Sequence, residues 1–188
     1  MANKQALRDL QTRLAERMQQ VRNEEPGVSW LAVDCAGCGL LFALRQAGEI
    51  FSLASVLPVP HTQPWLSGVV NLRGGVCTVV DLAAFLGLRS ATPAGLAQAR
   101  LVAFNAALEV NGALLVDRLE GLRHAVDMQA VDESADNGGP ARAGEAIHAP
   151  GPKPSFALTR WRDSAGRVWQ EIDLAELARL PQFLAVTG

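Results

Sequence analysis

Between Leu66 and Leu86 the chain reads LSGVVNLRGGVCTVVDLAAFL, two apolar runs of strand character joined by a single charge and a pair of glycines. Arg73 is the one charged residue between Leu66 and Val80. An arginine in so apolar a context needs an acceptor or a partner surface, because an unpaired buried charge is strongly unfavourable. Gly68, Gly74 and Gly75 mark a turn or bulge where backbone approaches too closely for a side chain. Strands are therefore expected at Gly68–Leu72 and Val76–Val80. Asp81 follows as an N-cap for a short helix, Leu82–Leu86, which Gly87 ends.

The rest of the chain uses the same grammar. Strand-like runs at Trp30–Asp34 and Leu40–Leu44 flank a hairpin turn at Cys35–Gly39, and another strand covers Gly48–Ser52. Three prolines between Leu57 and Pro64 keep that segment out of a sheet and make it a rigid surface connection. Residues 89–98 read as a loop of small residues. Further strands are expected at Leu101–Ala106, Gly112–Asp117, Leu119–His124, Phe156–Asp163 and Val168–Ile172, with a turn at Ser164–Gly166. Ile172-Asp173-Leu174-Ala175 echoes Val80-Asp81-Leu82-Ala83, so each half of the chain closes on a strand, an aspartate cap and a short helix, the pattern of two pseudo-repeated β lobes.

Ahead of these strands, residues 1–25 form a separate unit. Leu7, Leu10, Leu14, Met18 and Val21 recur at steps of three and four, which predicts an amphipathic helix ending before Pro26-Gly27. It packs on the body or serves as a partner or dimer helix. The stretch 132–154, rich in Gly, Ala, Pro and Asp, reads as a mobile loop.

Composition narrows the function classes. A chain of 188 residues can bury roughly 70% of its unfolded surface, so a true core is expected. Charged residues are only 19%, against about 25% in an average domain, which leans towards faces that meet partners. The net charge of −2 comes from 17 basic and 19 acidic residues that are well mixed, with no basic stripe for nucleic acid. No apolar run has the length of a membrane helix, and three cysteines fit free thiols in a reducing, cytoplasmic setting.

Chemistry-bearing constellations are sparse. Cys35-x-x-Cys38 has the spacing of half a zinc or redox site, but Cys77, His61, His124 and His148 supply no second half. His61 has no readable orienting partner for general-base work. Gly74-Gly75 leads into a strand rather than the helix start that a phosphate loop needs. Asp81 and Asp173 already have a structural reason as caps. Trp161 and Trp169 are expected as a cross-strand pair. No catalytic residue, cofactor site or metal site is assigned.

Gly68-Val69-Val70-Asn71-Leu72-Arg73-Gly74, followed by Val79-Val80-Asp81-Leu82, resembles the core signature of CheW-like chemotaxis coupling proteins. Glu49-Ile50, Val56-Leu57-Pro58-Val59-Pro60 and Leu115-Val116-Asp117-Arg118-Leu119 match further family features in order, over residues 28–180. The wording around the signature is similar to the branch that serves type IV pili and twitching motility. The resemblance implies a mainly β fold of two intertwined five-stranded SH3-like barrels with a hydrophobic groove between them. It also implies a non-enzymatic adaptor that couples the cytoplasmic tip of chemoreceptors to a CheA-type histidine kinase. Glu49, Val70, Asn71, Leu72, Arg73, Gly74, Val79 and Leu115 would be its partner-binding residues, with Glu49 and Arg73 forming a mostly buried ion pair. Here Cys77-Thr78-Val79 stands where the family has an isoleucine-proline-valine run. The rival readings are a small β-barrel that binds a small molecule or nucleic acid, and an enzyme on such a barrel; neither has a supporting motif.

Overall fold

The computed structural model describes residues 28–53, 55–90, 97–131 and 154–186. The helix expected over residues 1–25 and nearly all of the 132–154 loop lie outside the described residues.

Among the described residues, eleven strands make up two sheets. The first lobe is a six-stranded sheet ordered β8-β1-β2-β11-β10-β9, from β1 (Ser29–Cys35), β2 (Cys38–Ala43), β8 (Arg118–His124), β9 (Met128–Ala130), β10 (Ala157–Asp163) and β11 (Val168–Ile172). The second lobe is a five-stranded sheet ordered β3-β6-β7-β5-β4, from β3 (Ala47–Ser52), β4 (Leu66–Leu72), β5 (Gly75–Asp81), β6 (Arg100–Phe104) and β7 (Gly112–Val116). The two orders are alike. In each lobe a central hairpin, β1–β2 or β6–β7, pairs in parallel with the second strand of another hairpin, β10–β11 or β4–β5. The chain then crosses over: β3, which follows β2, pairs with β6 in the second lobe, and β8, which follows β7, pairs with β1 in the first. The lobes are therefore not the two halves of the sequence. Each hairpin gives its next strand to the other lobe.

Turn chemistry sets the hairpins. Ala36 and Gly37 have φ of 53° and 85°, the paired left-handed geometry whose twist suits flanking strands. The turn is tighter than Cys35–Gly39, and Cys35 and Cys38 become directly opposed strand residues. Arg73 and Gly74 repeat the geometry at the tip of β4–β5, with φ of 51° and 85°. At Gly68, φ is +137°, the register with β5 shifts, and an added Cβ would lie 2.1 Å from the Leu57 carbonyl oxygen. That approach is a strand contact: Leu57 and Val69 exchange backbone bonds of 2.8 Å. The proline-rich segment thus touches the sheet after all, at its edge, where its missing donors do no harm.

Both aspartate caps are present. Asp81 accepts from the Ala84 amide at the start of α1 (Leu82–Phe85), and Asp173 from the Ala175 and Glu176 amides of α2 (Leu174–Arg179). Beyond the sequence reading are β9 and α3 (Pro181–Leu184), both too short for a period to show.

Strand alternation sorts the apolar residues into three cores. Trp30, Ala32, Leu41, Ala43, Met128 and Trp169 fill the first lobe. Val70, Val79, Ala99, Leu101, Ala113 and Leu115 fill the second. The opposite faces of the same strands, with Val33, Phe42, Val102, Leu114 and Ile172 among them, meet between the lobes in the largest cluster of all, joined by Leu174 and Leu177 of α2. The seam between the lobes thus has a packed interior. Trp161 and Trp169 are the expected cross-strand pair, directly opposed in register, while the ring contact of Trp161 is with Trp30, centroids 4.9 Å apart. Both of those indoles donate to Glu171, which fixes that pairing, while Trp169 lies beneath the guanidinium groups of Arg123 and Arg167.

Candidate docking site

The β4–β5 hairpin holds most of the residues singled out from sequence. Its tip is ordered from within: the Asn71 side-chain oxygen accepts from the Gly74 amide at 2.9 Å, so asparagine shapes the turn that arginine and glycine form. Arg73 Nε then reaches Glu49 Oε2 on β3 at 2.9 Å. Since β3 and β4 are the two edge strands of this sheet and Arg73 directly follows β4, the ion pair links one edge to the end of the other.

The pair exists, but it is not mostly buried. The side chains of Arg73 and Glu49 are 74% and 52% exposed, because a hairpin tip projects beyond the sheet that supports it. An exposed pair of this kind contributes about 0.2–1 kcal/mol, so stability alone is a poor reason for it. Arg73 also holds a positive φ, which is unfavourable for any residue with a Cβ.

The remaining sequence candidates separate by strand parity. Asn71 and Gly74 are exposed and Leu72 is half-buried. Val70, Val79 and Leu115 are buried in the second-lobe core, where their side chains set the hairpin's position from beneath. The apolar side chains left at the surface of this lobe include Val76, opposite Asn71 on the hairpin, Leu57 on the closing segment and Ile50 beside Glu49. The signal that could have found Val76 is its place directly after the turn, where the strand overhangs the sheet.

A counterpart stands on the first lobe. Glu120, beside a register shift on the exchanged strand β8, pairs with Arg167 near the tip of β10–β11 at 3.4 Å, and with Arg118. Burial works to raise the Glu120 carboxyl, but hydrogen bonds and charge from Arg118 and Arg167 outweigh it and hold the pKa below the usual range. Arg167 also meets Asp34 at 2.6 Å. Each lobe thus closes with a glutamate on its exchanged strand and an arginine at its hairpin tip.

Burial first, then the nearby Asp117 and Asp34, push the Cys35 thiol well above its ordinary value. Cys38 is pushed up to about 11, chiefly by burial. Thiols held protonated in this way are weak nucleophiles and weak metal ligands. Among the described residues no three metal-ligating side chains cluster, and no helix is long and apolar enough to cross a membrane.

The family described as the CheW-like domain matches residues 29–181. The chain is 28% identical over 103 residues to the protein PilI of Pseudomonas aeruginosa, covering 54% of this chain and 56% of that protein. It is 39% identical over 56 residues to the chemotaxis protein CheW of Rhizobium meliloti, covering 30% of this chain and 34% of that one. The alignments therefore span about a third to just over half of the length of these relatives. The crystal structure of the scaffolding protein TtCheW from Thermoanaerobacter tengcongensis matches with a TM-score of 0.60 at 16% identity, covering 83% of this chain and 95% of that one. That likeness establishes the fold.

Proposed function

Because this chain belongs to the family of CheW-like domains, we propose that it is a non-enzymatic adaptor of a chemosensory array, coupling a chemoreceptor's cytoplasmic tip to a CheA-type histidine kinase in the cytoplasm. The observation that carries this reading is the exposed Arg73–Glu49 pair on a strained hairpin tip, with Val76, Ile50 and Leu57 left uncovered on the same lobe. A charge pair with adjoining aliphatic side chains supplies both parts of a protein-binding surface, orientation from the charges and affinity from apolar burial. Asn71 and Gly74 hold the tip in shape, and Val70, Val79 and Leu115 support it from the core. The alignment to PilI favours service to type IV pili and twitching motility within this role.

Titration of the full chain with a receptor-tip fragment and with the kinase regulatory domain tests the proposal. Arg73→Ala is expected to weaken binding about tenfold or more, roughly 1.4 kcal/mol, with its melting temperature nearly unchanged. Failure of the folded wild type to bind either partner would end the adaptor reading. For the finer role, deletion is expected to abolish twitching, and a loss confined to swimming would reassign it to flagella.

A further inference from the structure

Four exposed aliphatic side chains gather where the chain enters the first lobe. Val28, directly before β1, is 50% exposed, Leu44 40%, Leu122 54% and Val126 87%. The backbone brings them to one end of the sheet. The Val28 carbonyl accepts from the Ala125 amide at 2.9 Å, next to Val126, and the Ser29 carbonyl accepts from the Leu44 amide at 3.1 Å. Leu122 on β8 stands opposite Leu31. Segments distant in sequence thus place all four around the first residues of β1.

The second lobe shows what such a position is used for. Leu122 opposes Leu31 on the exchanged strand β8 as Ile50 opposes Val102 on the exchanged strand β3, and Leu31 and Val102 both belong to the core between the lobes. Ile50 adjoins Glu49, within the surface proposed above for a partner. Leu122 instead lies beside the point at which residues 1–27 join the lobe.

That stretch of chain carries the complementary apolar surface. Leu7, Leu10, Leu14, Met18 and Val21 make one stripe at helical spacing, outside the described residues. A helix of this length alone in water is marginal, and gains its stability from covering its apolar face. Val21 is seven residues before Val28, so the end of the stripe lies no more than about 25 Å from it. So short a tether holds the segment at an effective concentration of order millimolar, and a contact too weak to capture a free partner suffices to seat it.

We propose that residues 1–25 dock as an amphipathic helix on the first lobe of their own chain, covering Val28, Leu44, Leu122 and Val126. The two lobes then present unlike surfaces. The second keeps Ile50, Val76 and Leu57 open to a partner, and the first carries the helix over the equivalent end of its sheet.

Amide hydrogen exchange of the full chain, read by mass spectrometry, tests this without any receptor or kinase fragment. The amides of residues 7–21 are expected to be protected in the wild type, equally at low and high protein concentration. In Leu122→Ser they exchange at least about fivefold faster, the change expected from losing the half of a leucine side chain that the helix would cover. Val126→Ser, at a position too exposed for its loss to unfold the lobe, also speeds them, whereas Ile50→Ser leaves them unchanged. Unprotected amides at 7–21 in the wild type would overturn the docking. So would protection that is lost on dilution, which makes a second copy the occupant, and protection that survives both first-lobe substitutions or falls with Ile50→Ser.

Discussion

Burial holds the thiols of Cys35 and Cys38 protonated although they face each other across a tight turn. A native thiol titration is therefore expected to label the half-buried Cys77 first and to reach Cys35 and Cys38 only on unfolding; fast modification of all three in the native protein would contradict this. Asp163 responds to pH in the opposite sense. Burial works to raise its pKa, but the Trp169 indole, the amides of Arg167 and Ala165 and the charge of Arg123 overcome that and hold it low. A carboxyl with a folded pKa below its unfolded value stabilises the fold fully above the unfolded pKa, about 4, and loses that contribution as pH falls towards the folded value. Asp163→Asn is expected to be less stable at neutral pH and to approach the wild type in acid. Melting temperatures between pH 7 and 3 decide it, and two parallel curves would show that Asp163 contributes no such linkage. At this scale the sequence was a good guide to some roles, since Asp81 and Asp173 cap helices and Gly74 lies in the turn; that Asn71 accepts from the Gly74 amide was not legible. It could not give exposure: Arg73 sits in an apolar run yet projects into water, because the run ends at a hairpin tip.

Among the elements, the β4–β5 hairpin depends most on one residue. Gly68→Ala places a methyl carbon against the Leu57 carbonyl and imposes a side chain on a positive φ, so the bridge to Val69 must break or the bulge must move. The expected cost is about 2–4 kcal/mol, read from denaturant midpoints. A loss of under half of that would show that the Leu57 segment yields freely. Hairpins, caps and the bulge were legible beforehand, since each depends on neighbours in sequence: glycine for positive φ, aspartate before a helix, alternation along a strand. The bridge of Leu57 to Val69 was not, because the prolines that exclude a central strand say nothing about an edge.

Across the whole molecule, reciprocal exchange of β3 and β8 makes each lobe incomplete without the other half of the chain. Unfolding is therefore expected as one cooperative transition, with tryptophan fluorescence and far-ultraviolet circular dichroism coincident. A fragment ending at Asp117 should fail to fold cooperatively, as it leaves β1 and β2 without β8 and β11; two separated transitions would contradict the shared seam. What the sequence determined by itself was local: ten of the described strands, the two capped helices, the turn chemistry, the caps, the echo of two lobes and the family signature, each encoded within a few residues by backbone preference and side-chain reach. What only the tertiary structure decided was which lobe each strand joins, that the largest core lies between the lobes, that Val70, Val79 and Leu115 face inward while Val76 and Leu57 face out, and that Arg89 joins Asp81 to Asp117. In β1, β2 and β7 both faces are apolar, so alternation cannot tell a lobe interior from the seam. That choice is made when the two sheets pack, by contacts between residues far apart in the chain.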